Sequence, residues 1–371
     1  MSRIPVLLMV RQLDQGGVER DVAKMATHLD PSRFEPHVAS YQNCGMRYDE
    51  LLAAGIPFLH LPVAAPISRA GLCAARLLGR YLREHSIQIF HAWDPSAILG
   101  VPVARSVGVP VVISSQLSYR EILDRKTRIL LRATDPLCDA LLVNCAAMRK
   151  YLIESEGVPA ARVELCYNGV EVARFYPSER PSLDALQGAS LVVGALCALR
   201  PEKGLTVLQE AFARSGLQCR GAKLLIVGSG PERERLVCHA STLGISRASV
   251  FIPAVSDAAF WMRAIDIFVL PSYSEAFSNA LLEAMACGCA VIGSRIGGTP
   301  ELIGDGERGL LFTSGDAAGL AAQILKLAGD PALRCELAKR AARFAAANLS
   351  MEIAASRMAA IYETLLRRAG V

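Results

Sequence analysis

The sequence predicts an α/β protein with two doubly wound domains. Short apolar runs alternate with segments of helical periodicity along the whole chain of 371 residues. The runs are apolar on both faces, which is typical of parallel strands buried between two helical layers. The alternation stops at a segment rich in proline, glycine and charge, residues 174–188, and then starts again. We therefore expect two Rossmann-like domains that face each other across a cleft, with ligand sites at the carboxyl ends of their strands.

The strands of the first half are read from six apolar runs. They are Ile4–Val10, Glu35–Tyr41, Ile87–His91, Val109–Ser114, Ala140–Asn144 and Val163–Cys166. Helices fill the intervals, as in Glu19–Leu29 and Pro95–Val107. Asp94 is the expected N-cap of the second of these helices, because Pro95 lacks an N–H and suits the first helical position.

The second half repeats the pattern with six further strands. They are Leu191–Leu199, Lys223–Val227, Ser249–Ile252, Ile267–Leu270, Ala290–Gly293 and Gly309–Phe312. We place the first domain at residues 1–175, a linker at 176–188 and the second domain at 189–348. Residues 349–371 are expected to form a helix that packs back towards the first domain.

Composition excludes several classes of protein. Hydrophobic residues make up 52% and charged residues 20%, a balance that excludes a disordered chain. The net charge is only +5, with one compact basic cluster at Arg120–Arg132, so no nucleic-acid partner is expected. The eleven cysteines have no CxxC spacing, which favours reduced thiols and a cytoplasmic location. No signal peptide is evident, and no apolar run approaches the ~18 residues that span a bilayer.

The segment Pro271–Gly288 is the sharpest candidate for a binding site. It follows a predicted strand directly, with Glu275 in the strand-to-helix loop and Glu283 in a helix that starts near Ser278. A helix that opens at the carboxyl end of a strand directs free N–H groups towards an anion. The two carboxylates could hold the two ends of one elongated polar ligand. Apolar neighbours lead us to interpret Glu283 as packed rather than solvated.

Two other motifs also follow predicted strands in the second half. Gly297 and Gly298 precede Thr299, and paired glycines let backbone N–H groups approach a phosphate or sugar. Arg200 and Lys203 could offer two cations to one pyrophosphate. Alone, the first motif would be a structural turn and the second a charged turn.

The candidate motifs of the first half are weaker, and several well-known catalytic and metal-binding motifs are absent from the sequence. Gly16 and Gly17 follow the first strand without the GxGxxG pattern of a dinucleotide fold, and His91 closes the third predicted strand on the cleft side. The chain has no P-loop, no HExxH or Cys/His cluster, no GxSxG and no Asp-x-Asp. No metal or cofactor is therefore expected, and Arg200, Lys203 and backbone N–H groups must neutralise any diphosphate.

Taken in order, the motifs resemble the retaining family 4 glycosyltransferases of GT-B architecture, known as glycosyl transferases group 1. The matching motifs are Gly16-Gly17-x-Glu19, His91, Asn168-Gly-Val170, Arg200-x-x-Lys203-Gly204, Val227-Gly-Ser-Gly-Pro231, Glu275-x7-Glu283 and Gly297-Gly298-x-x-Glu301. The resemblance covers nearly the whole chain and is stronger in the second half.

The resemblance implies a nucleotide-diphosphate sugar as donor. By analogy, Glu283 binds the ribose, Glu275 binds a sugar hydroxyl, and His91 lies beside the anomeric carbon. The diphosphate would be stabilised by Arg200 and Lys203, helped by the N–H groups of Gly16 and Gly17. The remaining implied donor contacts are Ala276, Phe277, Ser278, Gly297, Gly298 and Thr299 for the sugar and phosphates, and Pro253 within Phe251–Val255 for the base. Ser278 departs from the family, in which many members have glycine.

The family also implies transfer with retention by front-face attack, in which the leaving phosphate accepts the acceptor's proton. Fixed positive groups then stabilise the developing charge without a metal, and no carboxylate acts as the nucleophile. The resemblance makes a glycan or lipid-linked acceptor the natural one, in polysaccharide or lipid-linked glycan assembly.

The acceptor is expected on the first domain, whose loops Gln42–Arg47, Ala64–Ala70 and Ser115–Arg125 carry no recognisable code. Glu19, Asp94 and Tyr119 are its candidate residues. Tyr119–Arg132 is predicted as one helix with arginines and isoleucines interleaved. It is interpreted either as a contact with the inner face of the membrane or as a solvated basic face.

Two alternatives remain open at this point: a GT-B nucleotide-sugar 2-epimerase, and a non-catalytic protein that binds sugar nucleotides. The base, the sugar, the acceptor and the oligomeric state are also open.

Overall fold

The structure, a computed structural model, describes residues 3–14, 16–63, 65–304 and 306–371. The chain divides into two compact units: the first contains the residues up to Gly169 together with Met351–Val371, and the second is Val170–Ser350. The sequence placed the boundary at residue 175. Residues 170–175 belong to the second unit because Val170 N–H donates to the Leu349 carbonyl at 2.8 Å and Val170 bridges to Ser350.

The first unit contains a seven-stranded sheet whose pairings are all parallel, in the order β3-β2-β1-β4-β5-β6-β7. Its strands are β1 (Ile4–Val10), β2 (Phe34–Ser40), β3 (Phe58–His60), β4 (Ile89–Trp93), β5 (Val111–Ser115), β6 (Ala140–Val143) and β7 (Val163–Leu165). The helices between them are α1 (Gly17–His28), α2 (Met46–Ala53), α3 (Arg69–Glu84), α4 (Ala97–Ser106), α5 (Arg125–Thr134) and α6 (Ala146–Glu154). Strands β1, β4 and β5 are buried almost throughout, as their apolar runs predict.

Three predicted details of the first unit are wrong. Strand β3 was missed because its three residues are too few to form a distinct apolar run. Asp94 does not cap α4, which begins at Ala97 after Ser96. The single helix predicted over Tyr119–Arg132 is a 3-10 turn at Arg120–Ile122 followed by α5, where the Asp124 carboxylate accepts the backbone N–H groups of Lys126 and Thr127.

The second unit contains a six-stranded sheet, likewise paired in parallel, in the order β10-β9-β8-β11-β12-β13. Its strands are β8 (Val192–Leu196), β9 (Lys223–Val227), β10 (Ser249–Ile252), β11 (Ile267–Leu270), β12 (Ala290–Ser294) and β13 (Leu310–Phe312). Its helices are α7 (Leu205–Ser215), α8 (Arg233–Thr242), α9 (Ala258–Met262), α10 (Asn279–Ala286), α11 (Thr299–Ile303), α12 (Ala317–Gly329) and α13 (Pro331–Asn348).

The last helix, α14 (Met351–Ala369), belongs to the first unit. Tyr362 is fully buried there and meets the Phe34 ring edge-on, with 6.0 Å between the ring centroids. Arg33 forms an ion pair with Glu363. A side chain at Gly169 would collide with the Met351 backbone, since a Cβ there would lie 2.7 Å from its Cα. The close approach of these two segments therefore requires glycine.

Within the described part of the chain, no helix is both long enough and apolar enough to cross a membrane.

Candidate functional site

The candidate site of the second unit lies where the strand order reverses, between β8 and β11. Ligands of open α/β sheets bind outside the carboxyl ends of the strands at such a point. The loops that follow β8 and β11 carry Arg200, Lys203 and Glu275. The sheet therefore brings together residues that lie more than seventy positions apart in the sequence.

Lys203 and Glu275 form an ion pair, with 2.7 Å between Nζ and Oε2. Their side chains are 21% and 15% exposed, so the pair is only partly open to solvent. Ser272 Oγ donates to the same carboxylate oxygen at 3.4 Å. Burial acts to lower the pKa of Lys203, but the charge and hydrogen bonding of Glu275 outweigh it and raise that pKa. Lys203 is thus a fixed cation at neutral pH.

Two glycines let the surrounding loops pack against one another. Gly204 has φ +63°, and a Cβ there would lie 2.2 Å from the Pro271 carbonyl oxygen. Gly297 has φ +48°, and its Cβ would lie 1.8 Å from the Glu275 carbonyl oxygen. Gly298 N–H donates to the Ala276 carbonyl at 2.6 Å. The Arg200–Gly204 turn and the Gly297–Thr299 turn therefore both close on the loop that carries Glu275.

Helix α10 begins beside this loop and carries Glu283. Ser278 is its N-cap, with Oγ accepting the Leu281 N–H at 3.3 Å, which explains a serine at this position. Ala276 and Phe277 are each 5% exposed. Glu283 is 1% exposed, so its carboxylate is buried rather than solvated, and buried ionisable groups are candidates for function.

Thr299 opens α11 and is 1% exposed. Its methyl group packs on Gly293, where a Cβ would lie 2.4 Å from Thr299 Cγ2. Its Oγ1 is buried and has no hydrogen-bond partner within the described ranges. An unsatisfied hydroxyl in this position is suited to a ligand.

Arg200 and Lys203 face different surroundings. The Arg200 side chain is 62% exposed, lies 4.0 Å from Glu202 and lines a surface cavity that Lys203 and Glu275 do not line. The sequence expected both cations on one pyrophosphate, and in this structure only Lys203 is held beside Glu275.

The loop with Pro253 is tied to the loop at residues 227–231, which matches a family motif but was given no separate role at the site. Pro253 itself is exposed. The next residue, Ala254, donates its N–H to Ser229 Oγ at 2.9 Å, and a Cβ at Gly228 would lie 1.9 Å from the Cys197 carbonyl oxygen. The Gly-Ser-Gly sequence at residues 228–230 is the sequence feature that indicates this packing, because its glycines permit the close approach to the Cys197 backbone.

The first unit has its own reversal of strand order, between β1 and β4. Gly16 precedes α1 and Gly17 is its first residue. The Glu19 carboxylate folds back so closely over Gly16 that a Cβ there would lie 1.8 Å from its oxygen. Gln12 Nε2 donates to Glu19 at 3.0 Å. Of the predicted loop Ala64–Ala70, Ala64 lies outside the described residues.

His91 is fully buried within β4 and is not a solvent-facing group at the end of a strand. Its Nδ1 lies 2.8 Å from Tyr362 Oη and its Nε2 lies 2.8 Å from Ser115 Oγ. The ring stacks on Trp93 with 3.8 Å between centroids. Burial lowers the pKa of His91 to about 3, so the imidazole is neutral. In this structure it connects α14 to the sheet.

Arg120 is likewise internal, which corrects the prediction of a basic surface extending from it. Its side chain is fully buried and binds Asp135 through two hydrogen bonds of 2.8 Å. It also donates to Glu156 at 3.2 Å and to Gln116 at 3.0 Å. The sequence did not identify these partners, because they lie on separate segments of the chain.

Asp94 joins this network through Gln116, whose Nε2 donates to Asp94 Oδ1 at 2.7 Å. Burial raises the pKa of Asp94 to about 7, in spite of the nearby Arg120 cation. Tyr119 packs edge-on against Tyr151, with 5.0 Å between ring centroids. Tyr151 Oη donates to Glu156 at 2.9 Å. Tyr119 therefore packs against a member of the network that Asp94 joins through Gln116.

No group of three or more His, Cys, Asp or Glu side chains is placed to hold a metal ion among the residues that the structure describes.

Comparison with known proteins identifies the class. Residues 15–174 match the model of Glycosyltransferase Family 4, and residues 185–344 match that of Glycosyl transferases group 1. A chain with two such units, each a parallel α/β sheet, is a glycosyltransferase of the GT-B type. It belongs to the family 4 glycosyltransferases, as the resemblance of its motifs predicts.

Relatives in sequence include D-inositol 3-phosphate glycosyltransferases. The one from Acidothermus cellulolyticus is 28% identical over 363 residues, which cover 91% of this chain and 79% of the relative. The one from Mycobacterium tuberculosis is 31% identical over 238 residues, 60% of this chain and 48% of the relative.

Solved structures share the fold. Anabaena HepE in complex with UDP and glucose has a TM-score of 0.84 and 21% identity, over 98% of this chain and all of that one. Sucrose-phosphate synthase from Thermosynechococcus elongatus has a TM-score of 0.79 and 22% identity, over 99% of this chain and 100% of that one.

Arg120→Ala is expected to lower the free energy of unfolding by about 3–5 kcal/mol, because it leaves the largely buried Asp135 carboxylate without its cation. Urea denaturation followed by circular dichroism measures the loss. Arg125→Ala is the matched control, an exposed arginine of the same cluster, with an expected change within about 0.5 kcal/mol. Equal effects of the two substitutions would contradict the internal role of Arg120.

Proposed function

We propose that this protein is a retaining hexosyltransferase that moves a sugar from a nucleotide-diphosphate sugar, UDP-linked by preference, to an acceptor hydroxyl. The observation that carries the proposal is the Lys203–Glu275 ion pair at the strand-order reversal of the second unit. A preference for UDP is supported by the structural neighbour HepE, which was crystallised with UDP and with UDP-glucose.

Lys203 is proposed to stabilise the departing diphosphate. Its ammonium group is already oriented by Glu275, so little reorganisation is needed when negative charge develops on the leaving oxygen. Glu275 then accepts a hydrogen bond from a hydroxyl of the donor sugar with its remaining lone pairs. The buried Glu283 carboxylate is proposed to bind the ribose hydroxyls, and Arg200 keeps its predicted role as a second, more exposed cation.

Retention is proposed to follow from front-face attack. The bond from the anomeric carbon to the acceptor oxygen forms on the face from which the bond to the phosphate oxygen breaks. The acceptor's proton passes to that phosphate oxygen, so no protein nucleophile is required. The engagement of Glu275 with Lys203 supports a role in binding rather than in forming a covalent intermediate.

The transfer is proposed to be independent of metal, because Lys203 supplies a positive charge where a divalent ion would otherwise act. The natural acceptor is proposed to be a glycan or lipid-linked glycan, in polysaccharide or lipid-linked glycan assembly. The protein is proposed to act in the cytoplasm, at the inner face of the membrane.

Glu283→Gln is expected to weaken UDP binding about tenfold or more, because a charge-assisted hydrogen bond to the ribose is lost at a buried position. Isothermal titration calorimetry with UDP, with and without EDTA, measures this, and EDTA is expected to leave the affinity unchanged. Glu234→Gln, at an exposed position of α8, is the matched control. Unchanged UDP affinity in Glu283→Gln would refute the assignment of the ribose site.

Lys203→Ala is expected to lower turnover about a hundredfold while UDP affinity falls much less, since its contact strengthens in the transition state. Arg200→Ala is expected to cost less than tenfold, because that side chain is mostly exposed. UDP release from UDP-sugars without an acceptor measures both.

The same incubation separates the two alternatives. Formation of an epimeric UDP-sugar, detected by NMR, would favour the 2-epimerase. UDP binding without any UDP release, even with glycan acceptors present, would favour the non-catalytic protein.

The exposed remainder of the basic cluster is proposed to contact an anionic membrane surface. Arg125 and Lys126 are exposed there beside Ile122 and Ile129, which are 61% and 53% exposed. Cations that surround insertable apolar side chains are typical of peripheral membrane binding.

Charge reversal of Arg125 and Lys126 to Glu is expected to weaken binding to phosphatidylcholine–phosphatidylglycerol vesicles by more than about tenfold, at about 1 kcal/mol per basic residue. Co-sedimentation measures it. The matched control reverses the exposed pair Arg149 and Lys150 on α6. Equal losses in both variants, or no binding by the wild type, would refute this contact and leave the solvated-face interpretation.

A further inference from the structure

A surface cavity in the second unit shares only Arg200 with the proposed donor residues. Its volume is about 360 Å³, within the usual range for small-molecule sites. It is lined by Arg200, Pro201, Glu202, Leu205, Thr206, Glu232, Arg235, Leu236 and Tyr273. Apart from Arg200, the family motifs assign none of these residues to the donor, and Lys203, Glu275 and Glu283 do not line the cavity.

Hydrogen bonds between the surrounding elements fix the walls of the cavity relative to one another. Gln209 of α7 is fully buried, and its Nε2 donates to the Leu236 carbonyl of α8 at 2.7 Å. Its Oε1 lies 2.9 Å from His239 Nδ1, one turn further along α8. Tyr273 N–H donates to the Glu202 carbonyl at 2.8 Å, which fixes the third wall. The cavity is therefore preformed, which reduces the entropic cost of binding.

The charges at its rim are balanced. Arg235 Nη1 lies 2.8 Å from Glu232, and Arg200 Nη1 lies 4.0 Å from Glu202. Two guanidinium groups face two carboxylates, so a phosphate entering here would meet no net positive charge. The same groups supply forked N–H donors and carboxylate acceptors, and neighbouring hydroxyls of a sugar need both.

The floor and one side of the cavity are apolar. Leu205 and Leu236 are 3% and 1% exposed, and Pro201 lies beside them. Tyr273 has an aromatic ring that is half exposed, at 50%. A sugar ring has an apolar C–H face and a rim of hydroxyls, which match an aromatic side with polar groups around it.

We propose that this cavity is a binding subsite for a neutral carbohydrate, adjoining the proposed donor site and sharing Arg200 with it. The loops that form the cavity also carry Lys203 and Glu275. Glu202 is adjacent to Lys203 in one loop, and Tyr273 lies two residues before Glu275 in the other. A sugar held here therefore rests directly on the loops of the proposed donor site.

Saturation-transfer difference NMR on the full chain tests the subsite. The probes are methyl α-D-glucopyranoside, methyl α-D-galactopyranoside and methyl α-D-mannopyranoside, with UDP present throughout. At least one is expected to bind the wild type. Tyr273→Ala and Arg235→Ala are each expected to weaken that binding about fivefold or more. Arg233→Ala, an exposed arginine of α8 outside the cavity, is expected to leave it unchanged.

Binding of none of the three glycosides would overturn the proposal, as would undiminished binding in both cavity variants. Inorganic phosphate that competes with the glycoside for the wild type would overturn the assignment to a neutral ligand. The donor site is judged separately, because Glu283→Gln is expected to lose UDP affinity and to keep glycoside binding. Failure of the wild type to bind UDP, with glycoside binding intact, would therefore count against the proposed function and not against this subsite.

Discussion

The ion pair between Lys203 and Glu275 is the interaction on which the arrangement of the second unit's site depends. It joins the loop after β8 to the loop after β11, the two strands between which the order of the sheet reverses. Parallel strands buried on both faces leave polar chemistry only at their ends, so the loops must carry it. Gly204 allows these loops to approach closely enough for the pair to form, and Gly297 lets the loop after β12 pack against the Glu275 backbone.

A buried ion network has a different role in the first unit. Arg120 is surrounded by Asp135, Glu156 and Gln116, and the last of these reaches Asp94 at the end of β4. Such a network adds little net stability over an apolar core, but it fixes the positions of its members, because each partner is costly to leave unpaired. His91 has a comparable role between α14 and β5 through Tyr362 and Ser115. His91 was predicted to face a ligand, and Arg120 was predicted to lie in an exposed basic cluster. In the structure both side chains hold segments of the chain together.

The sequence alone predicted most of the architecture. Runs such as Lys223–Val227 and Ile267–Leu270 were placed to the residue, because an apolar run between turn residues marks a buried strand clearly. The three residues of β3 gave too short a signal. Of the candidate site, the motif residues Lys203, Glu275, Gly297 and Gly298 do lie together. The hydrogen bond between Ser229 and Ala254 and the cavity beside Tyr273 were not predicted, since they depend on contacts between separate loops.

Local pattern by itself determined most of the strands and helices, the fold class and the family, because periodicity and motif order are properties of consecutive residues. The tertiary structure decided which charged residues face solvent and which face one another. Arg120 and Arg125 are indistinguishable in a basic stretch of sequence, yet one is fully buried and the other exposed. Arg200 and Lys203 share one turn, yet only Lys203 meets Glu275. Burial and pairing depend on which distant segments the sheet brings together, and a linear pattern does not contain that information.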